Sequence, residues 1–305
     1  MTRLAISVPA KINLHLQVLG LRPDGYHELR TLFQSIDLAD ELYASSMANG
    51  VLELRVEPEG AVTGADDNMV LRAATALRER TGVTAGAKFE LHKRIPVAGG
   101  LGGGSADAAA TLILLDELWD LNLGAADLVD LAAGLGSDVP FFLHGGLAMG
   151  VGRGEEVSPL PDLQSFDLVV VTPQLRVPTA EVFDRLTPQL TSSGLDVTVY
   201  AFTTGRPGDH RIDPPWEDFF NELESVVVEG WPEVGRVVDA LRATDPLHAA
   251  VTGSGASAFA VYPDSRRASD AAAALGDRWQ VFVGSTLTRD RARLAVRGVA
   301  SPEEE

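Results

Sequence analysis

The chain has 305 residues, enough for one large domain or two medium ones, and its 45% hydrophobic and 22% charged residues are those of a folded globular protein. A formal net charge of -18 leaves no basic stripe for nucleic acid or for an anionic membrane surface, and the absence of cysteine excludes disulfides and thiolate metal sites. No apolar run reaches membrane-spanning length and the N-terminus carries no long apolar leader, so neither nucleic acid nor a membrane is expected as partner, and the expected compartment is the cytoplasm.

In chain order, Lys11 to Leu19 alternates, with Ile12, Leu14, Leu16 and Val18 on one face of a strand. Gly20 to Gly25 is a turn-rich connection. Leu29–Leu38 and Val51–Val56 read as further strands. Asn68 can cap a helix running through Val70, Ala73, Ala74 and Leu77 to Gly82. Lys88–Ile95 alternates again and leads into a glycine-rich loop. Helices are expected over 105–118 and 125–135, followed by Ser137-Asp138-Val139-Pro140-Phe141-Phe142 and a glycine-rich strand region. Glu155, Glu156, Pro159 and Pro161 suggest a linker over 155–166. Beyond it come a buried strand at Leu168–Val171, helices at about 179–187, 217–229 and 233–243, strands near Ala249–Val251 and Ala258–Tyr262, a helix at 265–275 and a strand at Gln280–Val283. Residues 189–215 read as an irregular insertion and Ser301–Glu305 as a disordered tail. Strands and helices mix without strict βαβ alternation, so the fold class is α+β.

The loop Pro96-Val97-Ala98-Gly99-Gly100-Leu101-Gly102-Gly103-Gly104-Ser105-Ala106 holds five glycines between Pro96 and Ser105. Glycines allow close backbone approach and positive φ, and the helix that follows offers unpaired N–H groups at a positive dipole end. Together these suit a pyrophosphate. The Walker pattern fails, because no lysine follows Gly104, and the dinucleotide pattern fails, because Ser105 stands where glycine is needed. A glycine turn used only for tight packing is the alternative. Three lysines, Lys11, Lys88 and Lys93, stand against 22 arginines. Each is of interest, since guanidinium does not replace a compact ammonium charge.

The loop resembles the signature of the GHMP kinases, the family of galactokinase, homoserine kinase and mevalonate kinase. The likeness extends over nearly the whole chain. It includes Pro9-Ala10-Lys11-Ile12-Asn13-Leu14, Arg22-Pro23-Asp24-Gly25-Tyr26-His27-Glu28-Leu29, Gly136 to Phe142, Asn221-Glu222-Leu223-Glu224 and Thr252-Gly253-Ser254-Gly255-Ala256-Ser257. The segment Asp24 to Leu29 is similar to the branch whose substrate is a methylerythritol carrying a cytidine diphosphate. The resemblance implies a two-domain fold: an N-terminal ribosomal-protein-S5-like ATP-binding domain at 1–158, a C-terminal ferredoxin-like substrate domain at 165–298, and a disordered tail at 299–305. It implies ATP as co-substrate, held by Pro96 to Ala106, and Mg²⁺ beside it. A monomer or weak homodimer is expected. Two features depart from the pattern: Ala106 stands where many members carry a second serine, and the 189–215 insertion is long.

The chemistry gathers on few residues. Phosphoryl transfer needs a hydroxyl in line with the γ-phosphate and a group to receive its proton. Asp138 can be that base, and Lys11 can hold the nucleophile and offset charge on the transferring group. Taken alone, Asp138 reads as a turn or cap residue and Lys11 as a solvated strand lysine; the motif context favours the catalytic roles. Asn13, two residues on, shares the face of Lys11, and the resemblance places it and Asp138 on the substrate. Tyr26 can stack on cytosine and His27 can hydrogen-bond its edge. The resemblance puts Gly253-Ser254-Gly255-Ala256 beside the site, though a plain hairpin turn reads similarly. Ser105 is a candidate metal contact; no metal ligand is otherwise assigned. The partner of the far side of the cytosine is expected from Arg176–Phe183. His15, His92, His144, His210 and His248 are read as structural or surface residues. The competing readings are another kinase of the family, for homoserine or mevalonate, and a catalytically silent ligand-binding relative.

Overall fold

A computed structural model describes residues 3–48, 50–62, 68–186 and 214–299. The irregular segment expected at 189–215 lies almost wholly outside these residues, as do His210 and the end of the chain from 300. Among the described residues no helix is long and apolar enough to cross a membrane.

The α+β reading holds. The first sheet is built on two long antiparallel strands, β1 (Arg3–Leu21) and β2 (His27–Met47), whose middles are the alternating segments legible in the sequence. One stretch of β2 pairs with β4 (Gly86–His92), which pairs in parallel with β3 (Leu52–Glu57). Another stretch, Leu29–Gln34, pairs with β5 (Leu147–Gly152) and through it with β6 (Glu156–Pro159). Four helices belong to this unit: α1 (Met69–Thr81), α2 (Gly103–Leu118), α3 (Ala125–Leu135) and α4 (Val139–His144). As expected, the Asn68 side chain caps α1 by accepting from Val70 N, and Gly82 ends it in the left-handed region. The alanine-rich helix α2 packs on β1 and β2 and against α1 and α4, buried along most of its length.

The second sheet is antiparallel, with β7 (Asp167–Thr172), β8 (His248–Val251), β9 (Ala258–Tyr262) and β10 (Gln280–Ser285) in the order β10-β7-β9-β8. Its helices are α5 (Thr179–Arg185), α6 (Glu224–Gly230), α7 (Pro232–Arg242) and α8 (Ser265–Leu275); a last short helix, α9 (Arg289–Ala292), packs on β2 of the first sheet. The two cores interlock. Leu16 and Val18 of β1 belong to the second core, while Leu168, Val170 and Phe259 join the first.

Several expectations are corrected. The linker begins later than 155: Glu156–Pro159 extends the first sheet, with Pro159 at the end of an outer strand where a missing N–H is tolerated. The helix expected over 217–229 is broken. A 3₁₀ turn at Trp216–Asp218 gives way to extended backbone, where Leu16 N donates to Phe220 O (2.9 Å) and Glu222 N to Leu16 O (3.0 Å). The Asn221 side chain then accepts from Leu223 N (3.0 Å), a local bond that competes with helix, and α6 starts only at Glu224. The strand expected to reach Ile95 ends at His92. Val299 is not tail: β11 (Arg297–Val299) pairs with β1 at Arg3–Ala5 and returns the chain to the first sheet.

Candidate active site

Strand β1 carries the first two groups. Its pairing with β2 shifts register between Pro9 and Lys11 and again between Asn13 and His15. Such bulges re-aim side chains beside functional sites. Ile12 and Leu14 enter the core, while Lys11 and Asn13 face the junction of the two units, both buried. Lys11 Nζ donates to Asn13 Oδ1 (2.7 Å), and Asn13 Nδ2 donates to Thr31 Oγ1 (2.8 Å), which fixes the orientation of the amide. Lys11 is no solvated strand lysine: its side chain is 4% exposed.

Asp138 Oδ2 lies 3.2 Å from Lys11 Nζ. Asp138 precedes α4 and stands at its N-cap position, yet its carboxylate makes no capping hydrogen bond. The cap reading therefore fails, and the Asp138 side chain, 32% exposed, lines the cleft.

The glycine loop crosses beside this pair. Lys11 N donates to Leu101 O (3.1 Å), and a Cβ on Gly102 would fall 3.1 Å from Lys11 Cγ and 2.7 Å from the Phe142 ring, so only glycine fits. Gly102 is also the N-cap of α2, with no side-chain cap and no acidic residue in the first turn. The helix start is left free for an anion. The second glycine turn closes from the other unit. Ser257 N donates to Gly99 O (3.1 Å), Thr252 Oγ1 to Gly100 O (3.2 Å), and a Cβ on Gly253 would lie 3.4 Å from Lys11 Nζ. The turn is thus part of the site and no plain hairpin.

Two cavities meet here, sharing Ala98, Gly100, Gly102 and Ser105. One, of about 410 Å³, is lined by Pro96 to Ser105 together with Asn68, Met69, Lys93 and Asp107. Ala106, grouped with this loop on sequence grounds, lines neither cavity; its side chain is wholly buried in the core. The other, of about 620 Å³, contains Lys11, Asn13, Asp138 and Ser105 at one end and Gly25, Tyr26, His27 and Phe183 at the other.

At that far end, Asp24 Oδ1 accepts from Tyr26 N (3.1 Å) and Arg22 N donates to Tyr26 O (2.7 Å), a closed turn that presents Tyr26 at 54% exposure. The His27 ring stacks on Phe183 of α5, with centroids 4.9 Å apart. Arg153 lies over the Tyr26 ring at 4.8 Å, held by Glu155 (3.0 Å). Ser254, in the glycine turn that the resemblance puts beside the site, shares a 2.8 Å hydroxyl bond with Thr179 at the start of α5, whereas Arg153 is not singled out by the sequence reading. The Gly-Arg-Gly setting of Arg153, between two strands, was the one available signal.

Among the described residues, the other histidines line neither cavity. Burial first, then Arg30, lowers His15 to about 4, between the Phe219 and Phe220 rings. Burial likewise lowers His248 to about 4 in an aromatic cluster. Among the described residues one acidic–histidine group, Glu57, Glu90 and His92, is close enough to hold an ion. It lines neither cavity, and Arg3 and Arg55 pair with its carboxylates.

The chain matches the family model for the N-terminal domain of GHMP kinases over residues 68–146 and that for their C-terminal domain over 216–281. It is 40% identical over 282 residues to a 4-diphosphocytidyl-2-C-methyl-D-erythritol kinase of Burkholderia multivorans, covering 92% of each chain. To the enzyme of that name from Pelotomaculum thermopropionicum it is 44% identical over 266 residues, covering 87% of this chain and 91% of that one. A crystal structure of 4-(cytidine 5'-diphospho)-2C-methyl-D-erythritol kinase superposes with a TM-score of 0.77 at 36% identity, over 92% of this chain and 98% of the other. A homoserine kinase from Cytophaga hutchinsonii shares the fold, with a TM-score of 0.66 at 17% identity over 97% of both chains.

Proposed function

The chain belongs to the GHMP kinases, and within them to the 4-diphosphocytidyl-2-C-methyl-D-erythritol kinases; on that premise we propose which of its residues carry the reaction. The reaction is the ATP-dependent phosphorylation of the 2-hydroxyl of 4-diphosphocytidyl-2-C-methyl-D-erythritol, in the methylerythritol phosphate route to isoprenoid precursors.

The ATP phosphates lie along the glycine loop, against the free N–H groups of the first turn of α2. The methylerythritol end of the substrate meets Asn13, Lys11 and Asp138, and the cytosine reaches the far end of the larger cavity. There Tyr26 offers the stacking face, His27 a hydrogen bond to the base edge, and Phe183 the closing ring. Arg153, over the Tyr26 ring at the far end, is the cation that can meet the diphosphate next to the cytidine.

In the transfer, the hydroxyl oxygen forms a bond to the γ-phosphorus while the bond from that phosphorus to the ADP oxygen breaks. The hydroxyl proton passes to the Asp138 carboxylate. Lys11, already bonded to Asn13 and Asp138, offers its remaining N–H to the transferring group, in a buried position where its charge acts strongly. The donors present suit a Mg²⁺ carried on the phosphates: Ser105 lines both cavities, and among the described residues no group of three carboxylates or histidines is gathered there. Such an ion would supply further charge neutralisation on the β- and γ-phosphates.

The observation that carries this reading is the 3.2 Å contact of Lys11 with an uncapped Asp138, where the two cavities meet. Asp138→Asn tests it by steady-state kinetics and ATP binding. Turnover should fall roughly 10²–10⁴-fold while ATP affinity stays within about threefold. Unchanged turnover would remove Asp138 as the base.

A further inference from the structure

Lys93, Asp40 and Asp107 form a cluster of charges to which the mechanism above gives no role, although Lys93 and Asp107 also line the smaller cavity. Their side chains are 4%, 0% and 5% exposed. Lys93 Nζ reaches Asp40 Oδ2 at 2.5 Å and Asp107 Oδ2 at 2.8 Å. Burying three charges is costly, and a hydrophobic filling of the same volume is often as stable. General stability is therefore a weak reason for the cluster.

Its placement suggests another. Asp40 Oδ1 accepts from Arg94 N (2.6 Å) and Ile95 N (2.9 Å), the backbone that enters the glycine loop. Asp107 opens the second turn of α2, the helix that leaves the loop. Lys93 thus ties the entry stem to the exit stem across the loop's base. A Cβ on Gly103 would fall 3.1 Å from Lys93 Nζ, so the ammonium lies directly under the first turn of the helix. The loop needs such a tie. Ala98, Gly100 and Gly102 all have φ between 58 and 74 degrees, a conformation that chain preferences alone do not hold for alanine. The Asp107 Oδ1 is buried without a hydrogen-bond partner, and its Oδ2 accepts from Lys93 Nζ.

We propose that Lys93, through Asp40 and Asp107, is a positioning residue for the nucleotide: it sets the spacing of the loop's two stems at which the backbone N–H groups converge on the ATP phosphates. The inference rests on the assignment of the loop to ATP. It requires ATP affinity to follow the Lys93–Asp107 bond, and affinity for the cytidyl substrate not to.

Asp107→Ala removes the exit-side acceptor and leaves the Lys93–Asp40 pair. Asp107→Asn keeps an oxygen that can accept from Lys93. The dissociation constant for ADP, the KM values for ATP and for the cytidyl substrate, and the melting temperature are measured for both. With Asp107→Ala, Kd for ADP and KM for ATP should rise about tenfold, the equivalent of one charge-assisted hydrogen bond, while the substrate KM stays within about twofold. Asp107→Asn should restore both nucleotide constants. Should Asp107→Ala not fold, Asp107→Ser, too short to reach Lys93, takes its place with the same expectation. ADP affinity unchanged in the Ala or Ser variant overturns the inference, as does a parallel rise of both KM values that Asp107→Asn does not rescue. ADP binding is read without any phosphoryl acceptor. A wild-type protein inactive on the cytidyl substrate would count against the acceptor alone and leave the ADP comparison decisive for the loop.

Discussion

A lysine in a core strand and a buried lysine below a glycine loop look alike in a sequence, but their surroundings separate them. Lys11 faces one partly exposed carboxylate and the cleft; Lys93 faces two buried carboxylates. Burial lowers the affinity of Lys93 for its proton, and the charges of Asp107 and Asp40 more than offset this, so it is raised above its usual range. Asp107 goes the other way from a typical ion-paired carboxylate. Burial, with the charge of Asp40 added and only Lys93 opposing, pushes it up to about 7. The sign for stability follows. The folded state holds the Asp107 proton more tightly than the unfolded chain, so this group's contribution is fully present below the ordinary aspartate range and is lost as pH rises towards about 7. Asp107→Asn removes that dependence. Its melting temperature relative to wild type should therefore be higher at about pH 8 than at about pH 5. Thermal denaturation at both values checks this, and a difference that does not change with pH would contradict it.

At the scale of elements, the glycine loop is fixed from both units. Gly100, at φ 74, has no room for a side chain: a Cβ would fall 2.2 Å from Thr252 O and 2.9 Å from Gly255 O, both backbone atoms. Gly100→Ala should destabilise by about 1–3 kcal/mol and raise KM for ATP, because relief can come only by parting the two glycine turns. Melting and ATP kinetics check this; an unchanged KM for ATP would show that the contact does not shape the phosphate site. The loop, its helix and the alternation of β1 were legible in the sequence because each follows from local chemistry: glycine runs, caps and period-two burial. What was hidden depends on distant partners. Glu156–Pro159 reads as part of a linker because Glu155, Glu156, Pro159 and Pro161 are turn-like, and only pairing with β5 makes it a strand. Residues 217–229 read as one helix because the competing bonds of Asn221, to Leu223 N, Val251 O and Gly253 O, involve residues up to 32 positions away. Lys93 gave no sign of its role beyond lysine scarcity, since Asp40 lies 53 positions earlier.

The whole molecule places its chemistry where two cores interlock. Asn221 joins the units, its segment paired with Leu16 of β1 and its amide holding the carbonyls of Val251 and Gly253 at the second glycine turn. This arrangement sets one wall of the cleft from each sheet. It also gives the cleft its length, from Lys11 and Asp138 at the glycine loop to Tyr26, His27 and Phe183 at the far end. Small acceptors such as mevalonate or homoserine would fill only the near end and leave the aromatic end without a ligand. The fold is shared with a homoserine kinase at 17% identity, so the architecture alone does not set the acceptor; on the proposed assignment this far end does. The most direct measurement is phosphoryl transfer by the wild-type protein from ATP to each of three acceptors, 4-diphosphocytidyl-2-C-methyl-D-erythritol, mevalonate and homoserine, with ADP and phosphorylated product both quantified. The account predicts one ADP per phosphorylated cytidyl substrate and no transfer to the two small acceptors. Transfer to either small acceptor at a comparable rate, or none to the cytidyl substrate, would contradict it.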